Sequence, residues 1–164
     1  MAKEDMYSKL ADFGRELLEK KSFSEGLPHI ISYAKEVLDA DRCSVYIYEE
    51  DNDKLWTTHS DGVKKIAVPS GKGVVGYTLR VRKPVIVNDP YSNANFLPDV
   101  DKQTGYKTNN IITAPIFNSN REIIGVLQLL NKAQGDFDSD DKRFIIFFAH
   151  YISGFLELVV TYKT

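Results

Sequence analysis

The sequence predicts an α+β fold, in which a mostly antiparallel sheet carries helices on its faces. Apolar residues that recur every three or four positions indicate two amphipathic helices in the first 40 residues. Strand patterns then follow one another across short polar turns, which is how antiparallel neighbours are joined. Acidic residues from Asp138 precede a long apolar helix pattern. Because 164 residues, 43% of them hydrophobic, supply one core, we expect a single domain over residues 1–164.

The first part of the chain predicts two helices and three strands. Helical spacing covers residues 5–21 and 24–40, and either Ser22 or Ser24 is placed to cap the second helix. The strand patterns that follow are rich in β-branched and aromatic residues, and a polar run separates the first two as in a hairpin. The predicted strands are CSVYIY at 43–48, LWTTHS at 55–60 and VKKIAV at 63–68, the last of them stopped by Pro69.

The remaining elements lie on either side of a long loop. Residues 70–83 open with a glycine-rich turn and continue with helical spacing, and PVIVND at 84–89 is a short strand. Two strong strand patterns at 110–117 and 122–131 are expected to form the centre of the sheet. The loop at 90–110 is rich in proline, asparagine, aspartate and glycine, and we expect one or two helical turns in it. Loops longer than about 15 residues in compact domains usually serve as lids or binding segments.

Composition and charge argue against several classes of protein. Lys and Arg number 21 against 23 Asp and Glu, a net charge of -2, so no electrostatic feature favours nucleic acid or an anionic membrane. The apolar run at 144–160 contains His150 and Glu157, which are costly in hydrocarbon, so it predicts a buried helix with a second apolar face toward a partner rather than a membrane span. The N-terminus carries charges where a signal peptide would be apolar, and we expect a cytoplasmic protein.

Catalytic and metal-binding chemistry finds little support in the sequence. A single cysteine, Cys43, excludes an internal disulfide and a cysteine-built zinc site, and its strand context is typical of a small core residue. GKGVVG at 71–76 lacks the lysine and hydroxyl of a P-loop. It is either a structural turn or a helix N-terminus whose N–H groups bind phosphate. The histidines lie in unrelated contexts without a nucleophile motif: His29, His59 and His150. We therefore expect no catalytic residue, no metal and no cofactor.

A long motif at 96–110 has the form FxxxVDxxTGYxTxN. Coiled as a helix, it would place Asp101, Thr104 and Thr108 on one face, because they are spaced three and four residues apart. The motif lies within GKGVVGYTLRVRKPVIVNDPYSNANFLPDVDKQTGYKTNNIITAPI, and EIIGVLQLLNK follows. Together these segments resemble the GAF family, specifically the branch found in cyclic nucleotide phosphodiesterases and some bacterial cyclases. The resemblance extends from about residue 24 to residue 160.

The resemblance implies a fold and a division of the chain. GAF domains have a central six-stranded antiparallel sheet with helices on its faces, and they act as ligand sensors or dimerisation modules rather than as enzymes. By this likeness the N-terminal helix occupies 1–22, the core 23–137 with its lid at 90–110, and the C-terminal helix 138–164. In nucleotide-binding members the purine lies against the sheet, the cyclic phosphate meets helix N-termini, and the partly helical lid folds over the ligand.

The resemblance also implies a set of ligand contacts. The purine would meet Ser44 on the first strand and Asp61, which when ionised accepts hydrogen bonds from guanine N–H groups or from the adenine amine. Gln128 stands where related domains can carry a glutamate, and it keeps an acceptor but adds a donor, so the base preference stays open. The remaining implied contacts lie near the ribose and phosphate or in the lid: Val74, Val75, Leu97, Asp101, Thr104 and Thr108.

A second family signature, abbreviated NKFDE, is nearly complete. It corresponds to Asn131, Lys132, Phe137 and Asp141, but Lys142 replaces the final glutamate. The resemblance implies a salt bridge between Lys132 and Asp141. We assign this pair a positioning role, since a buried ion pair is weak evidence for stability.

These features lead to three hypotheses of function. The first is a regulatory sensor that binds cAMP or cGMP under its lid and relays binding through the terminal helices to an output domain in cis or in trans. The second is a homodimerisation module without a nucleotide, in which the polar lid residues only cap helices and bond within the lid. The third is a sensor of another small molecule. The reductase of free methionine sulfoxide known from a GAF-like branch uses several cysteines, so Cys43 alone disfavours it.

Overall fold

The computed structural model describes residues 3–58, 65–98, 102 and 105–162. Its elements follow the predicted order. The helices are α1 (Lys3–Leu18), α2 (Phe23–Leu38), α3 (Gly73–Val81) and α4 (Ser139–Tyr162). The strands are β1 (Ala40–Glu49), β2 (Lys54–Thr58), β3 (Lys65–Pro69), β4 (Val85–Val87), β5 (Ile111–Phe117) and β6 (Ile123–Lys132). A turn of 3₁₀ helix, Pro90–Ser92, lies between β4 and β5.

The strands form one antiparallel sheet in the order β3-β2-β1-β6-β5-β4. The predicted α+β fold with a six-stranded antiparallel sheet is therefore confirmed. One detail of the prediction is wrong, because β1 and β6 form the centre of the sheet rather than the β5–β6 hairpin. β1 and β6 are both ten residues long and pair along most of their length, whereas β5 has only the three-residue β4 beyond it.

The main core lies between one face of the sheet and the helices α1, α2 and α4. Val45 of β1 and Leu127 of β6 are fully buried there. Aromatic rings from the three helices meet above them, with Phe13 stacked on Tyr33 at 4.8 Å and Phe148 at 5.5 Å from Phe13, between ring centroids. Because full burial of a large apolar side chain contributes about 1.5–3 kcal/mol, this face supplies most of the stability of the fold.

The start of α2 shows how the local sequence sets the position of a helix. Of the two serines considered above, Ser22 is the cap, since its Oγ accepts a hydrogen bond from the Glu25 backbone N–H at 3.2 Å. The Glu25 carboxylate in turn accepts one from the Lys21 backbone N–H at 2.8 Å. Such reciprocal bonds satisfy N–H groups that have no partner within the helix. The helix that begins here buries Leu27 and Ile30 in the main core.

α4 buries one apolar face and exposes another, as its sequence predicts. Ile145 and Ile152 are fully buried in the main core. Within the described ranges, α4 included, no helix is long and apolar enough to cross a membrane. The exposed apolar residues of α4 have relative exposures between 39% and 49%: Ile146, Phe147, Tyr151 and Leu158.

The lid motif does not form the single helical face that its spacing suggests. The Lys102 backbone N–H donates to the Pro98 carbonyl at 3.1 Å. Gly105 then has a φ of +76°, which a helix cannot continue through, and Thr108 lies beyond it in an irregular segment. Thr108 is therefore not on a lid helix. The other candidates on that face, Asp101 and Thr104, lie outside the described residues.

Candidate ligand-binding site

A row of polar side chains crosses the sheet on the face away from the main core. In the strand register, Ser44 of β1 pairs with Gln128 of β6, and Gln128 pairs with Thr113 of β5. Paired residues of antiparallel strands project from the same face, so the three side chains are neighbours. Ser44 and Gln128 are partly buried, and Thr113 is fully buried. The strands thus bring together two residues that the resemblance assigns to ligand contacts, Ser44 and Gln128.

Tyr46 adds a hydroxyl group to this row, and the sequence analysis missed it. It follows Ser44 by two residues on β1 and therefore lies on the same face. Burial raises the pKa of Tyr46 above its ordinary value, and hydrogen bonds with the Ser44 and Gln128 side chains oppose that rise. The three side chains are therefore close neighbours on this face. The alternation in CSVYIY was sufficient to find it, because residues two apart on a strand must share a face.

α3 covers the β5 end of the row through two buried threonines. Thr78 Oγ1 donates to the Val74 carbonyl at 2.8 Å and lies 2.5 Å from Thr113 Oγ1. Because a hydroxyl has one proton, Thr113 must be the donor to Thr78 and retains only acceptor capacity for other groups. The sequence analysis did not find this contact, since nothing local links two residues 35 positions apart.

The two adjacent valines of α3 pack against the sheet in different directions. Val74 contacts the cluster that contains Val87 and Ile111, while Val75 contacts the cluster of Leu55 and Val126. Both valines are buried, with relative exposures of 4% and 8%. They therefore fix α3 over the sheet, next to the polar row, as apolar walls of this face.

The N-terminus of α3 is accessible to an anion on physical grounds. Gly73 has a φ of +76°, which favours glycine, and Leu97 of the lid lies 3.5 Å from where a Cβ would be. Among the described residues, none caps this helix end at Lys72 through its side chain, and the first turn contains no acidic residue. Backbone N–H groups and the positive end of the helix dipole suit a phosphate at such a terminus. Leu97 is itself 47% exposed.

Residues 105–110, called the return segment below, lead from the lid into β5 and are tied to the sheet. The Tyr106 hydroxyl donates to Asp41 Oδ2 at 2.7 Å and accepts from Asn131 Nδ2 at 2.9 Å. The Arg42 guanidinium lies over the Tyr106 ring, 3.6 Å from its centroid. Burial, followed by the bond to Asp41, raises the pKa of Tyr106 to about 12. The hydroxyl is therefore protonated and able to donate at neutral pH.

Asn131 holds the backbone of the same segment. Its side-chain oxygen accepts from the N–H groups of Asn109 at 2.6 Å and Asn110 at 3.3 Å, and its nitrogen donates to the Lys107 carbonyl at 2.8 Å. Its φ of +61° is left-handed, which asparagine tolerates better than most residues. The Asn110 side chain accepts from the Lys132 backbone N–H at 2.9 Å. The Asn-Lys pair of the second signature thus anchors the return segment to the end of β6.

The ion pair expected from that signature is present. Lys132 Nζ lies 2.7 Å from Asp141 Oδ2 and 3.7 Å from Asp138 Oδ2, and the bond to Asp141 is the main cause that raises the pKa of Lys132. The Asp138 and Asp141 side chains each accept from the other's backbone N–H, at 3.0 and 2.9 Å. Phe137 is buried, and its backbone bonds both polar atoms of the Asn88 side chain. These contacts join the end of β6 to the start of α4.

The described residues contain neither a metal-ligand cluster nor an activated thiol. In the part of the chain that the structure describes, no group of three or more His, Cys, Asp or Glu is placed to hold a metal ion. Cys43 packs against the main core, and burial raises its pKa to about 12, so the nucleophilic thiolate is scarce at neutral pH. Three predicted contacts lie outside the described residues, and their places stay predictions: Asp61, Asp101 and Thr104.

A groove of about 540 Å³ lies elsewhere, between α1 and α2. Its lining contains charged side chains that already pair across the two helices, Lys9 with Glu36 and His29 with Glu16. These groups are used in the contact between the helices, whereas the polar row lies beside a helix N-terminus that no described side chain caps. We therefore place the candidate site on the α3 face.

Comparison with known proteins identifies the family of the chain. The GAF domain family model matches residues 23–155. Over 122 residues the chain is 35% identical to the dual 3′,5′-cyclic-AMP and -GMP phosphodiesterase 11A of Takifugu rubripes. The matched region covers 65% of this chain and 14% of that protein. Over 136 residues it is 29% identical to the probable 3′,5′-cyclic phosphodiesterase pde-5 of Caenorhabditis elegans. Here the matched region covers 74% of this chain and 18% of that protein. The chain thus spans less than a fifth of the length of either relative.

A solved structure shares the fold across the whole chain. The GAF domain of a phosphoenolpyruvate-protein phosphotransferase from Acinetobacter superposes with a TM-score of 0.80 and covers 99% of both chains. Its sequence is 18% identical, so this likeness concerns the fold alone. Because the family model extends from the first residue of α2 into the last turns of α4, the chain belongs to the GAF domain family.

Proposed function

We propose that this GAF domain is a regulatory, non-catalytic sensor that binds cAMP or cGMP on the α3 face of the sheet. The observation that carries the proposal is the set of adjacent polar side chains, Ser44, Tyr46 and Gln128, which lies on a mainly apolar face beside the N-terminus of α3. Burial of polar side chains costs stability unless they are bonded, so packing alone gives no reason for their presence. The Takifugu rubripes relative is named for cyclic AMP and cyclic GMP, which supports this ligand class.

The two ends of the site match the two ends of a cyclic nucleotide. Hydroxyl and amide groups of the row both donate and accept, as recognition of a purine edge requires. The start of α3 presents N–H groups and a positive dipole to the cyclic phosphate, with Leu97 adjacent to Gly73. The proposed contacts are completed by one residue after the second strand and three from the lid: Asp61, Asp101, Thr104 and Thr108.

Binding would reach other domains through α4. Gln128 lies on β6, and the end of β6 is joined to the start of α4 by the Lys132–Asp141 ion pair. A displacement of β6 by the ligand therefore acts directly on the first turn of α4. The output domain, in cis or in trans, is the expected recipient, since both relatives are several times longer than this chain.

A second candidate function is homodimerisation without a nucleotide. The exposed apolar residues of α4 and Leu18 at the end of α1, which is 85% exposed, favour a partner for the terminal helices. Such a patch on a small domain is typical of interaction surfaces. The two functions differ in whether nucleotides affect the protein at all.

Isothermal titration calorimetry with cAMP and cGMP tests the proposal. We expect saturable binding of at least one nucleotide, weakened in Ser44→Ala by about fivefold, as for the loss of one hydrogen bond. Ser153→Ala is the matched control, because Ser153 Oγ donates only within α4, to the His150 carbonyl at 2.7 Å. Asp101→Ala should also weaken or abolish the heat of nucleotide binding. Asp140→Ala, at an exposed position, is its control.

If neither nucleotide gives saturable heat at high micromolar concentration, the proposal is wrong. A stable dimer by light scattering, with an unfolding midpoint indifferent to both nucleotides, would then favour the second candidate. A saturable response to a different copurified compound would favour a sensor of another small molecule.

A further inference from the structure

We propose that Tyr106 is a positioning residue for this site, which holds the return segment, and Thr108 within it, in the conformation that retains a bound nucleotide. The inference rests on the proposed function for its ligand. The anchoring itself rests on contacts among described residues: Tyr106, Asp41, Arg42 and Asn131.

The directions of both hydroxyl bonds follow from the chemistry of the partners. An ionised Asp41 carboxylate can only accept, so the Tyr106 hydroxyl donates to it at 2.7 Å. Asn131 Nδ2 can only donate, so the same hydroxyl accepts from it at 2.9 Å. One hydroxyl thereby bridges the start of β1, the end of β6 and the return segment. A phenylalanine at this position would lose both bonds and keep the ring.

The ring makes a separate contact with β1. The Arg42 guanidinium lies 3.6 Å from the ring centroid, a distance typical of a stacked cation–π pair. Asp41 and Arg42 are consecutive residues near the start of β1, so ring and hydroxyl are held by the same strand end. Loss of the hydroxyl should therefore loosen the segment without releasing it.

Two anchored residues flank Thr108 in the sequence: Tyr106 before it and Asn110 after it. Gly105 precedes it with a φ of +76°, and no described atom lies within 4 Å of the position a Cβ would take there. Asn110, two residues after Thr108, is fixed by its bonds to the β6 end. Thr108 is 2% exposed, so its place depends on the support of both neighbours. Loss of the Tyr106 bonds weakens the support before Thr108, where the bond from Asn131 to the Lys107 carbonyl remains.

A purely structural role for Tyr106 predicts a different result from a positioning role. If Tyr106 only stabilised the fold, its hydroxyl would contribute to the global free energy of unfolding. The dissociation rate of the nucleotide would then show no change of its own at the return segment. If it positions Thr108, the faster exchange is confined to the return segment, and the dissociation rate of the nucleotide rises together with it.

The test compares Tyr106→Phe with Tyr151→Phe, a matched control whose hydroxyl contacts the Leu10 carbonyl at 3.5 Å in the α1–α4 contact. Hydrogen–deuterium exchange without ligand should show amides of residues 105–110 exchanging about fivefold faster in Tyr106→Phe alone. Stopped-flow binding with cAMP and cGMP should show a dissociation rate raised by a similar factor. Asp41→Asn, which keeps an acceptor, should give a smaller change in both measurements.

The two arms separate the possible failures. Unchanged exchange in Tyr106→Phe overturns the anchoring. Faster exchange with unchanged nucleotide dissociation overturns the positioning role and leaves the proposed function intact. Faster exchange throughout the protein, with a lowered urea midpoint, assigns Tyr106 a structural role instead. If the wild-type domain binds neither nucleotide, the proposed function is wrong and the positioning role is wrong with it, even if the anchoring is observed.

Discussion

The two faces of the central sheet receive different side chains from the same strands. β1 sends Val45 and Ile47 into the main core and sends Ser44 and Tyr46 to the α3 face. β6 does the same with Leu127 and its neighbour in sequence, Gln128. Residues on one face of the sheet therefore contribute to stability, and the residues between them place hydrogen-bonding groups on the other face. Substitutions of adjacent residues should separate these two properties.

The largest effect is expected on the core face. Leu127→Ala removes a fully buried side chain at the centre of the sheet, and such changes cost about 2–5 kcal/mol of unfolding free energy. Leu158→Ala is the control, since that leucine is 46% exposed and its removal should stay within about 0.5 kcal/mol. Urea unfolding of the two variants checks this. Equal losses would show that the two leucines do not differ in burial as the structure has them.

Substitution of Thr113 should lower stability by less than Leu127→Ala does, and it should also weaken nucleotide binding. Thr113→Val keeps the shape and removes the hydroxyl that donates to Thr78, which should cost about 1 kcal/mol and weaken nucleotide binding by altering the end of the polar row. Thr57→Val removes another buried hydroxyl on the sheet, which donates to the Val45 carbonyl at 2.7 Å. We expect similar unfolding free energies for the two variants and weaker binding only in the first. Equal affinities by calorimetry would remove Thr113 from the site.

The fold was predictable because most of its evidence is local. Helical spacing, strand alternation and turn residues all act within about ten positions of the chain, and they located every helix and strand described. The order of strands was less accessible, since pairing of β1 with β6 joins residues 78 to 92 positions apart. A hairpin can be recognised locally, whereas the strand that lies beside it depends on the packing of the whole chain.

The site was predictable only where a motif or an alternation marks it. Ser44 and Gln128 came from the family resemblance, and strand alternation could have added Tyr46. The bond between Tyr106 and Asp41 joins residues 65 positions apart, and no spacing rule predicts such a contact. The helical interpretation of Thr108 failed because Gly105 adopts a positive φ, which residue spacing does not report.

On the polar face, Gln128→Glu should change ligand preference with little change in stability. Glutamate is an acceptor only, and the Tyr46 hydroxyl next to it can donate to the new carboxylate, which offsets the cost of the added charge. A guanine edge presents more N–H donors than an adenine edge, so the ratio of the cAMP to the cGMP dissociation constant should rise by about fivefold. Asn120→Asp, in the exposed β5–β6 turn, is the control for added charge. If both affinities fall by the same factor, Gln128 does not contact the base.

The smallest effect is expected at the junction of β6 and α4, where both faces end. The bond from the Asp141 backbone N–H is the main cause that holds the pKa of Asp138 below its ordinary value of 3.8. A depressed folded-state pKa means that the ionised carboxylate stabilises the fold above the unfolded pKa, and that this contribution is lost as pH falls through the folded pKa. Asp138→Asn should therefore lower the urea midpoint slightly at pH 7 and leave it closer to wild type below pH 3.8.

Asp140→Asn provides the matched comparison two residues away, because Asp140 is exposed and pairs only with Arg143 on the same helix. An exposed pair of this kind contributes little, so its variant should follow the wild-type pH profile. If the difference between Asp138→Asn and wild type is independent of pH, the bond between Asp138 and the Asp141 backbone does not stabilise the start of α4. The Lys132–Asp141 ion pair would then be the principal polar link between the strand that carries Gln128 and the final helix.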